Sequence, residues 1–82
     1  MNIRERVIGI LQDNFFRGRP FDLADTESFL ETGVIDSLGM MKLISRLEAT
    51  FAIKVEDREL MPENLDSVEA ISHYVRAKGV AD

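Results

Sequence analysis

Residues 33–55 read GVIDSLGMMKLISRLEATFAIKV, and this stretch decides the fold. From Ser37 to about Ala52 the apolar residues recur at spacings of three and four, which is the periodicity of an amphipathic helix. Asp36 stands in the N-cap position of this helix, after a turn that begins at Gly33. The predicted core face consists of Leu38, Met41, Ile44, Leu47 and Phe51, with Leu43 beside it.

Two further helices are predicted, one on either side of this stretch. The first runs from Asn2, its cap, to about Phe16, and the last begins after Asp66 and stops before Gly79. Asp66 is interpreted as the N-cap of the last helix, because Glu69 three residues later approximates a capping box. The predicted buried positions are Ile3, Val7, Ile10, Leu11 and Phe15 in the first helix and Val68, Ile71, Tyr74 and Val75 in the last.

The connecting segments show no long periodicity. Residues 17–36 are predicted to form a long loop, and a connection of that length usually either has a function or contains a short helix. Residues 53–55 are predicted to be an extended linker, and one helical turn is predicted at residues 57–61, before Pro62. The predicted fold class is therefore all-α: a small four-helix bundle of three main helices and one short helix, with a long first loop.

The composition is that of one ordinary globular domain, and residues 1–82 are predicted to form it. Hydrophobic residues make up 45% of the chain and charged residues 30%, which argues against a disordered tail. The chain has no Cys and one His, His73, so disulfides, thiolate zinc sites and a Ser-His-Asp hydrolase are disfavoured. We therefore expect neither an enzyme nor a metal site. The sequence lacks a secretory signal pattern and a run of roughly 20 apolar residues, so the expected location is the cytoplasm.

The formal net charge of -5 is unevenly distributed along the chain. No basic residue lies between Arg19 and Lys42, where five acidic residues occur, and residues 56–69 form a second acidic run that only Arg58 interrupts. Such a surface repels nucleic acid and anionic lipid. Proteins with basic patches are the partners that it favours.

One hydroxyl group stands at the start of the central helix, on Ser37, directly after Asp36. A phosphate on its Oγ would lie at the positive end of the helix dipole, where a negative charge is favoured by ~0.3–1 kcal/mol. Leu38 is expected to turn into the core and fix the first helical turn. Taken alone, however, Asp-Ser at a helix start is an ordinary capping arrangement.

The wider stretch FLETGVIDSLGMMKLISRLEATFAIKV, residues 29–55, resembles the acyl carrier protein family, which includes peptidyl and D-alanyl carriers. The family pattern is Gly, two hydrophobic residues and Asp-Ser-Leu, then a helix that ends in Leu-Glu-x-x-Phe and a short hydrophobic pair. Residues 33–38 and 47–51 fit this pattern, and Ile53 and Val55 form the pair. The match in helix order and length covers nearly the entire chain.

The resemblance implies that Ser37 receives 4'-phosphopantetheine from coenzyme A, with Asp36 and Leu38 on either side of the attachment. The implied partners are a phosphopantetheinyl transferase that uses Mg²⁺, an acyl- or aminoacyl-activating ligase, and downstream transferases or synthases. The thiol of the arm would hold an acyl or aminoacyl group as a thioester, and the chain is expected to be a monomer that catalyses nothing. The expected docking residues are Met40, Met41, Lys42, Ile44 and Glu48.

The chain departs from fatty-acid carriers at Gly39, Lys42 and Arg46, at positions that those proteins usually fill with acidic or neutral residues. Basic residues there would oppose the basic patches of fatty-acid synthase enzymes, so a specialised biosynthetic pathway is favoured. The other interpretation of Lys42 and Arg46 is a solvated helix face, with Glu31 and Glu48 as counter-charges. A fatty-acid carrier and an unmodified helical adaptor stay open as alternatives, as does the cargo: fatty acyl, polyketide, aminoacyl or D-alanyl.

Overall fold

The computed structural model describes residues 2–82, and the regular structure in that range is entirely helical. In chain order the helices are α1 (Ile3–Phe15), α2 (Phe29–Thr32), α3 (Ser37–Phe51), α4 (Pro62–Leu65) and α5 (Val68–Ala77), with a 3-10 turn at Asp57–Glu59. The three long helices, α1, α3 and α5, confirm the three main helices predicted from the sequence. No helix in the described range is both long and apolar enough to cross a membrane.

The short helices are the part of the fold that the sequence prediction missed. Helix α2 lies inside the long first loop, and α4 begins at Pro62, whose ring suits the first helical position because no N–H is required there. The predicted single turn is present as the 3-10 turn, and residues 53–55 form no strand. The all-α class is confirmed, and the connections contain more helix than expected.

Helix α1 starts where the sequence predicts. The Asn2 side chain accepts the Glu5 N–H at 2.8 Å, and the Glu5 carboxylate accepts the Asn2 N–H at 3.3 Å, which completes a capping box. The buried side of α1 packs against both α3 and α5. Residues from all five helices and from the segments between them contribute to one buried apolar cluster. Its fully buried members include Ile3, Val7, Leu11, Phe29, Leu43, Leu47, Val68, Ile71 and Val75.

Helix α3 buries a narrower face than predicted. Leu43, Ile44, Leu47 and Phe51 are buried in it. Leu38 is 83% exposed and Met41 57% exposed, so the prediction that both lie in the core is wrong. Nine residues, or two and a half turns, separate Leu38 from Leu47, which places the two side chains on opposite sides of the helix.

Helix α5 starts one residue later than predicted. The Ser67 hydroxyl accepts the Ala70 N–H at 3.0 Å, so Ser67 is the N-cap and the assignment of that role to Asp66 is wrong. The Asp66 carboxylate instead accepts the hydroxyl of Ser28 and, at 3.0 Å, the N–H of Leu30. Asp66 thus holds the start of α2 against the junction of α4 and α5.

The long first loop is fixed to the bundle. Phe29 and Ile35 are almost completely buried, as the predicted apolar anchors require. Arg4 of α1 forms a two-pronged ion pair with Asp25 at 2.6 and 2.9 Å, and the hydrogen bonds from Arg4 lower the pKa of that carboxyl group. The Asp25 carbonyl accepts the N–H of Glu69 at 2.9 Å. The loop therefore delivers the chain to the start of α3 from a defined position.

Candidate functional site at the start of α3

The side chain of Ser37 is exposed at the first position of α3. Its neighbour Asp36 provides the cap, since Asp36 Oδ1 accepts the Gly39 N–H at 2.7 Å. Within residues 2–82 no hydrogen bond engages Ser37 Oγ. Because the capping role is filled by Asp36, the hydroxyl of Ser37 is free for chemistry.

The peptide groups around Ser37 suit a negative charge. The N–H groups of Ser37 and Leu38 find no acceptor within residues 2–82, as expected for the first turn of a helix. These unpaired N–H groups form the positive end of the α3 dipole, where a phosphate is favoured by ~0.3–1 kcal/mol. A phosphodiester on Ser37 Oγ therefore fits the residues that surround it.

Local sequence explains why the serine is presented in this way. Gly33 ends α2 with a φ of 76°, a left-handed conformation that glycine adopts without steric cost. Two residues later the buried side chain of Ile35 anchors the chain, and its N–H bonds the carbonyl of Phe29 at 3.3 Å. The turn and the anchor together place Asp36 and Ser37 at the rim of the bundle.

Gly39 allows three groups to crowd against the first turn of α3. A Cβ at this position would lie 3.0 Å from Ile35 Cγ2, 3.2 Å from Asp36 Oδ1 and 3.3 Å from the ring of Phe15. These distances are shorter than ordinary contacts, so a side chain here would push at the cap and at the end of α1. The sequence showed Gly39 only as a departure from the family pattern, and the close approach depends on Phe15, which lies far away along the chain.

An apolar groove of about 190 Å³ lies beside the exposed end of α3. Three of the predicted docking residues, Met40, Met41 and Ile44, come together in its wall. The other lining residues were not predicted: Leu30, Leu60, Met61, Pro62 and Leu65. One signal was available in the sequence, because the apolar pair Leu60 and Met61 stands in an otherwise acidic segment.

The two remaining predicted docking residues lie elsewhere. Lys42 Nζ is 5.7 Å from the centre of the Phe15 ring, on the side of α3 that faces α1. Glu48 Oε2 accepts the N–H of Val55 at 2.9 Å and so fixes the segment after α3. Neither Lys42 nor Arg46 forms an ion pair with any carboxylate in residues 2–82, so the expected counter-charges Glu31 and Glu48 do not pair with them.

Comparison with known proteins identifies the family. Residues 5–75 match the family described as "Phosphopantetheine attachment site". The chain is 38% identical over 71 residues to the D-alanyl carrier protein of Streptococcus pyogenes serotype M5 (strain Manfredo), and the match covers 87% of each chain. It is 36% identical over 76 residues to the D-alanyl carrier protein of Streptococcus uberis (strain ATCC BAA-854 / 0140J), covering 93% of this chain and 94% of that relative. The chain belongs to the phosphopantetheine carrier family.

Membership of this family confirms three expectations that the resemblance implied. The chain is a carrier with a covalently attached 4'-phosphopantetheine, and such carriers are not catalysts themselves. The family also implies a phosphopantetheinyl transferase and a ligase as partners. The alternative of an unmodified helical adaptor is therefore wrong.

The carboxylate of Glu59 fixes the segment that forms one side of the groove. Glu59 Oε1 accepts the N–H of Glu56 at 3.0 Å, the hydroxyl of Tyr74 at 2.9 Å and the ammonium of Lys78 at 2.9 Å. These donors, with the Glu56 N–H first, lower the pKa of Glu59 to about 2. Burial, followed by the nearby Glu59, raises the pKa of Tyr74. The cluster ties the segment that carries Leu60 to α5.

Proposed function

We propose that Ser37 is the residue that carries the 4'-phosphopantetheine arm, and that the chain holds an aminoacyl or acyl group for a specialised biosynthetic pathway. One observation supports the assignment above all others. Ser37 combines an exposed hydroxyl that makes no hydrogen bond within residues 2–82 with the positive end of a 15-residue helix. Because the chain has no Cys, the thiol that bears the cargo is supplied by the arm.

The residues around Ser37 have separate tasks in this proposal. Asp36 keeps the first turn of α3 closed, so that the arm leaves the protein from a fixed point. Leu38 and Met41 offer exposed apolar surface to the enzymes that load and unload the arm. Separate enzymes catalyse each reaction, and the carrier holds the arm in a position that those enzymes can reach.

The cargo that we propose first is an aminoacyl group, with D-alanine as the leading candidate. The support is the identity of 36–38% with proteins named D-alanyl carrier protein. The basic residues Lys42 and Arg46 add to it, because they disfavour docking of enzymes that use basic patches to bind carriers. A second candidate, a short aliphatic acyl group, is favoured by the groove beside Met41, whose lining residues are all apolar.

Intact-protein mass spectrometry tests the attachment residue. The purified chain is incubated with coenzyme A, Mg²⁺ and a broad-specificity phosphopantetheinyl transferase. We expect a gain of one phosphopantetheine in the wild type, a complete loss of that gain in Ser37→Ala, and full modification of Ser45→Ala, which removes another exposed hydroxyl of α3. Modification of the Ser37→Ala variant, or none in the wild type while a known carrier is modified, would overturn the proposal.

Charging of the loaded carrier tests the cargo. The holo form is incubated with ATP, D-alanine and a D-alanine-activating ligase, and in parallel with ATP, a short-chain fatty acid and a short-chain acyl-activating ligase. Formation of the D-alanyl thioester alone supports the aminoacyl proposal, and formation of the acyl thioester alone replaces it with the second candidate. Because loading is measured beforehand, a failure of charging is distinct from a failure of attachment.

A further inference from the structure

Three cationic side chains lie along the seam between α1 and α3, on the side of α3 that faces away from the apolar groove, and a fourth lies just beyond the C-terminal end of α1, where Arg19 donates to the carbonyl of Phe15 at 3.3 Å. They are Arg6, Arg19, Lys42 and Arg46, and they are called the basic strip below. Helices α1 and α3 run antiparallel, because Arg6 meets Thr50 near one end of the seam and Phe15 meets Lys42 near the other. The strip therefore follows α3 from the Ser37 end toward its C-terminus.

Aromatic rings position three of these cations. The Arg6 guanidinium lies 4.5 Å from the centre of the Phe51 ring, and the Arg19 guanidinium lies 4.9 Å from that of Phe16. Lys42 lies over the Phe15 ring, as described above. Arg6 also donates to the carbonyl of Thr50 at 2.9 Å. These contacts restrict the side chains without neutralising them, because a ring attracts a cation but carries no net charge.

The cations of the strip are not paired with carboxylates in the part of the chain that the structure describes. None of its four members forms an ion pair within residues 2–82, whereas Arg4, Arg58, Arg76 and Lys78 all do. One carboxylate, that of Asp13, lines the same surface depression as Arg6 and Arg46, but it makes no ion pair with either. Four cations that no carboxylate in the described range pairs with favour a locally positive surface on a chain whose net charge is -5.

The seam also has room for incoming side chains. A depression of about 470 Å³ opens between the helices beside Arg6 and Arg46. Gly9 forms part of its wall, and a Cβ placed on Gly9 would meet no atom within 4 Å. Aspartate and glutamate side chains from another protein can therefore reach Arg6 and Arg46 directly.

We propose that the basic strip is a docking surface for a partner protein that presents a cluster of carboxylates. The inference rests on the proposed role of Ser37, since a partner that receives the arm there approaches along α3. Lys42 and Arg46 follow Ser37 by five and nine residues, which is about 7.5 and 13.5 Å along the helix axis. The loop that precedes Ser37 in the chain is acidic, whereas the strip beside α3 is basic. Because the two surfaces have opposite charges, they favour one orientation of the partner on the carrier and oppose the reversed orientation.

Cations whose side chains are already restricted lose less conformational entropy when a partner binds them. A long arginine or lysine side chain loses rotamer freedom when it pairs with a partner, and stacking on a ring removes part of that freedom beforehand. This distinguishes the strip from an ordinary solvated helix face, whose cations would be free or paired with neighbouring acids. The observed pairing with rings is the feature that favours docking.

A peptide titration followed by NMR tests the docking surface. The ¹⁵N-labelled full chain, loaded with the arm, is titrated with hexaglutamate at low ionic strength. We expect amide shifts at Arg6, Lys42 and Arg46, and an affinity about tenfold weaker in the Lys42→Glu/Arg46→Glu double variant. The matched control, Lys54→Glu/Arg58→Glu, changes the net charge equally at another site, and its affinity should change less than twofold.

The salt dependence of the affinity provides a second measurement. The affinity should fall strongly between ~20 and ~200 mM salt, because the screening length drops below about 10 Å once the salt exceeds about 100 mM. Shifts that are absent from the strip, or equal losses in both double variants, would overturn the docking proposal. Helix content by circular dichroism checks that each variant is folded. Loading of the arm by mass spectrometry is scored in the same samples, so a failure at Ser37 is recognised separately.

Discussion

The rim around Ser37 and the side of the bundle built on α5 differ in how they treat apolar and polar groups. On α5 the apolar residues are buried, and the adjoining Glu59 carboxylate receives three hydrogen bonds. At the rim Leu38 and Met41 are exposed, and the hydroxyl of Ser37 makes no hydrogen bond within residues 2–82. The α5 side is not fully satisfied either, since the buried hydroxyl of Ser72 makes no hydrogen bond within residues 2–82, but of the two only the rim leaves large apolar side chains and a free hydroxyl accessible from solvent.

Helix α3 contains both kinds of surface. Its second half packs Leu47 and Phe51 into the core, whereas Leu38 in its first turn points to the opposite side of the helix and lies in solvent. A stable domain of this size tolerates some exposed apolar surface because its core is filled elsewhere. The helix thus joins the core to the rim, and substitutions along it should separate stability from function.

The largest expected effect comes from truncating the buried leucine of α3. Leu47→Ala should lower the free energy of unfolding by about 2–5 kcal/mol, because it removes buried methyl groups and leaves a cavity. Leu38→Ala should change it by less than about 0.5 kcal/mol, since that side chain is already in water. Urea unfolding followed by circular dichroism measures both.

The exposed Leu38, which contributes little to stability, should matter for the rates at which the arm is attached and the cargo is charged. We expect Leu38→Ala to slow transfer of the arm or of the cargo, because partners lose an apolar contact beside Ser37. Equal stability losses in the two variants would contradict the exposed position of Leu38. Unchanged rates in Leu38→Ala would remove it from the docking surface.

A smaller effect is expected at the Glu59 cluster, where polar groups of the α5 side meet. Glu59→Gln should lower the urea midpoint at pH 7 by less than Leu47→Ala does, because Tyr74 and Lys78 lose a charged acceptor. The folded-state pKa of Glu59 is about 2, below its ordinary 4.5, so this stabilisation is present above pH 4.5 and is lost as the pH falls toward 2. The difference between wild type and variant should therefore narrow in that window.

The control for this prediction is Glu63→Gln, which changes an exposed glutamate that makes no hydrogen bond or ion pair within residues 2–82. Its urea midpoint should match that of the wild type at pH 7. A Glu59→Gln variant that behaves in the same way would show that the cluster does not stabilise the fold. A difference that widens on acidification would contradict the lowered pKa.

The sequence predicted the long helices because each repeats its apolar pattern over at least two turns. Helices α2 and α4 have four residues each, too few for any period to appear. Asp66 and Ser67 are adjacent residues of equal capping ability, and the choice between them was made by Ser28 and Leu30, which lie 36 or more residues away in the chain. Such choices depend on tertiary contacts that a local pattern does not contain.

The candidate site was predictable in part for the same reason. Ser37 and its cap Asp36 follow from a local motif at a helix start, and Asp36 caps α3 as expected. The groove brings Leu30 and Met61 from separate segments to α3, and the stacking of Lys42 on Phe15 joins two helices, so neither could be derived from spacing. Periodicity also could not show which flank of the apolar stripe is left uncovered, and Leu38 was misplaced as a result.

The last comparison is between two helix caps, one at the rim and one on the α5 side. Asp36→Ala and Ser67→Ala each remove a side chain that accepts a first-turn N–H, so each should cost about 0.5–2 kcal/mol in urea unfolding. Asp36→Asn should restore the stability, because asparagine caps as well as aspartate does.

Only the rim cap should matter for the transferase. Frayed residues at the start of α3 no longer hold Ser37 at a fixed point, so Asp36→Ala should be loaded more slowly than Ser67→Ala at matched stability. Asp36→Asn then separates the two contributions of Asp36: full recovery of loading assigns its role to the cap, and recovery of stability without loading assigns a direct role to the negative charge. Equal loading of Asp36→Ala and Ser67→Ala would show that the first turn of α3 need not be closed for the arm to be attached.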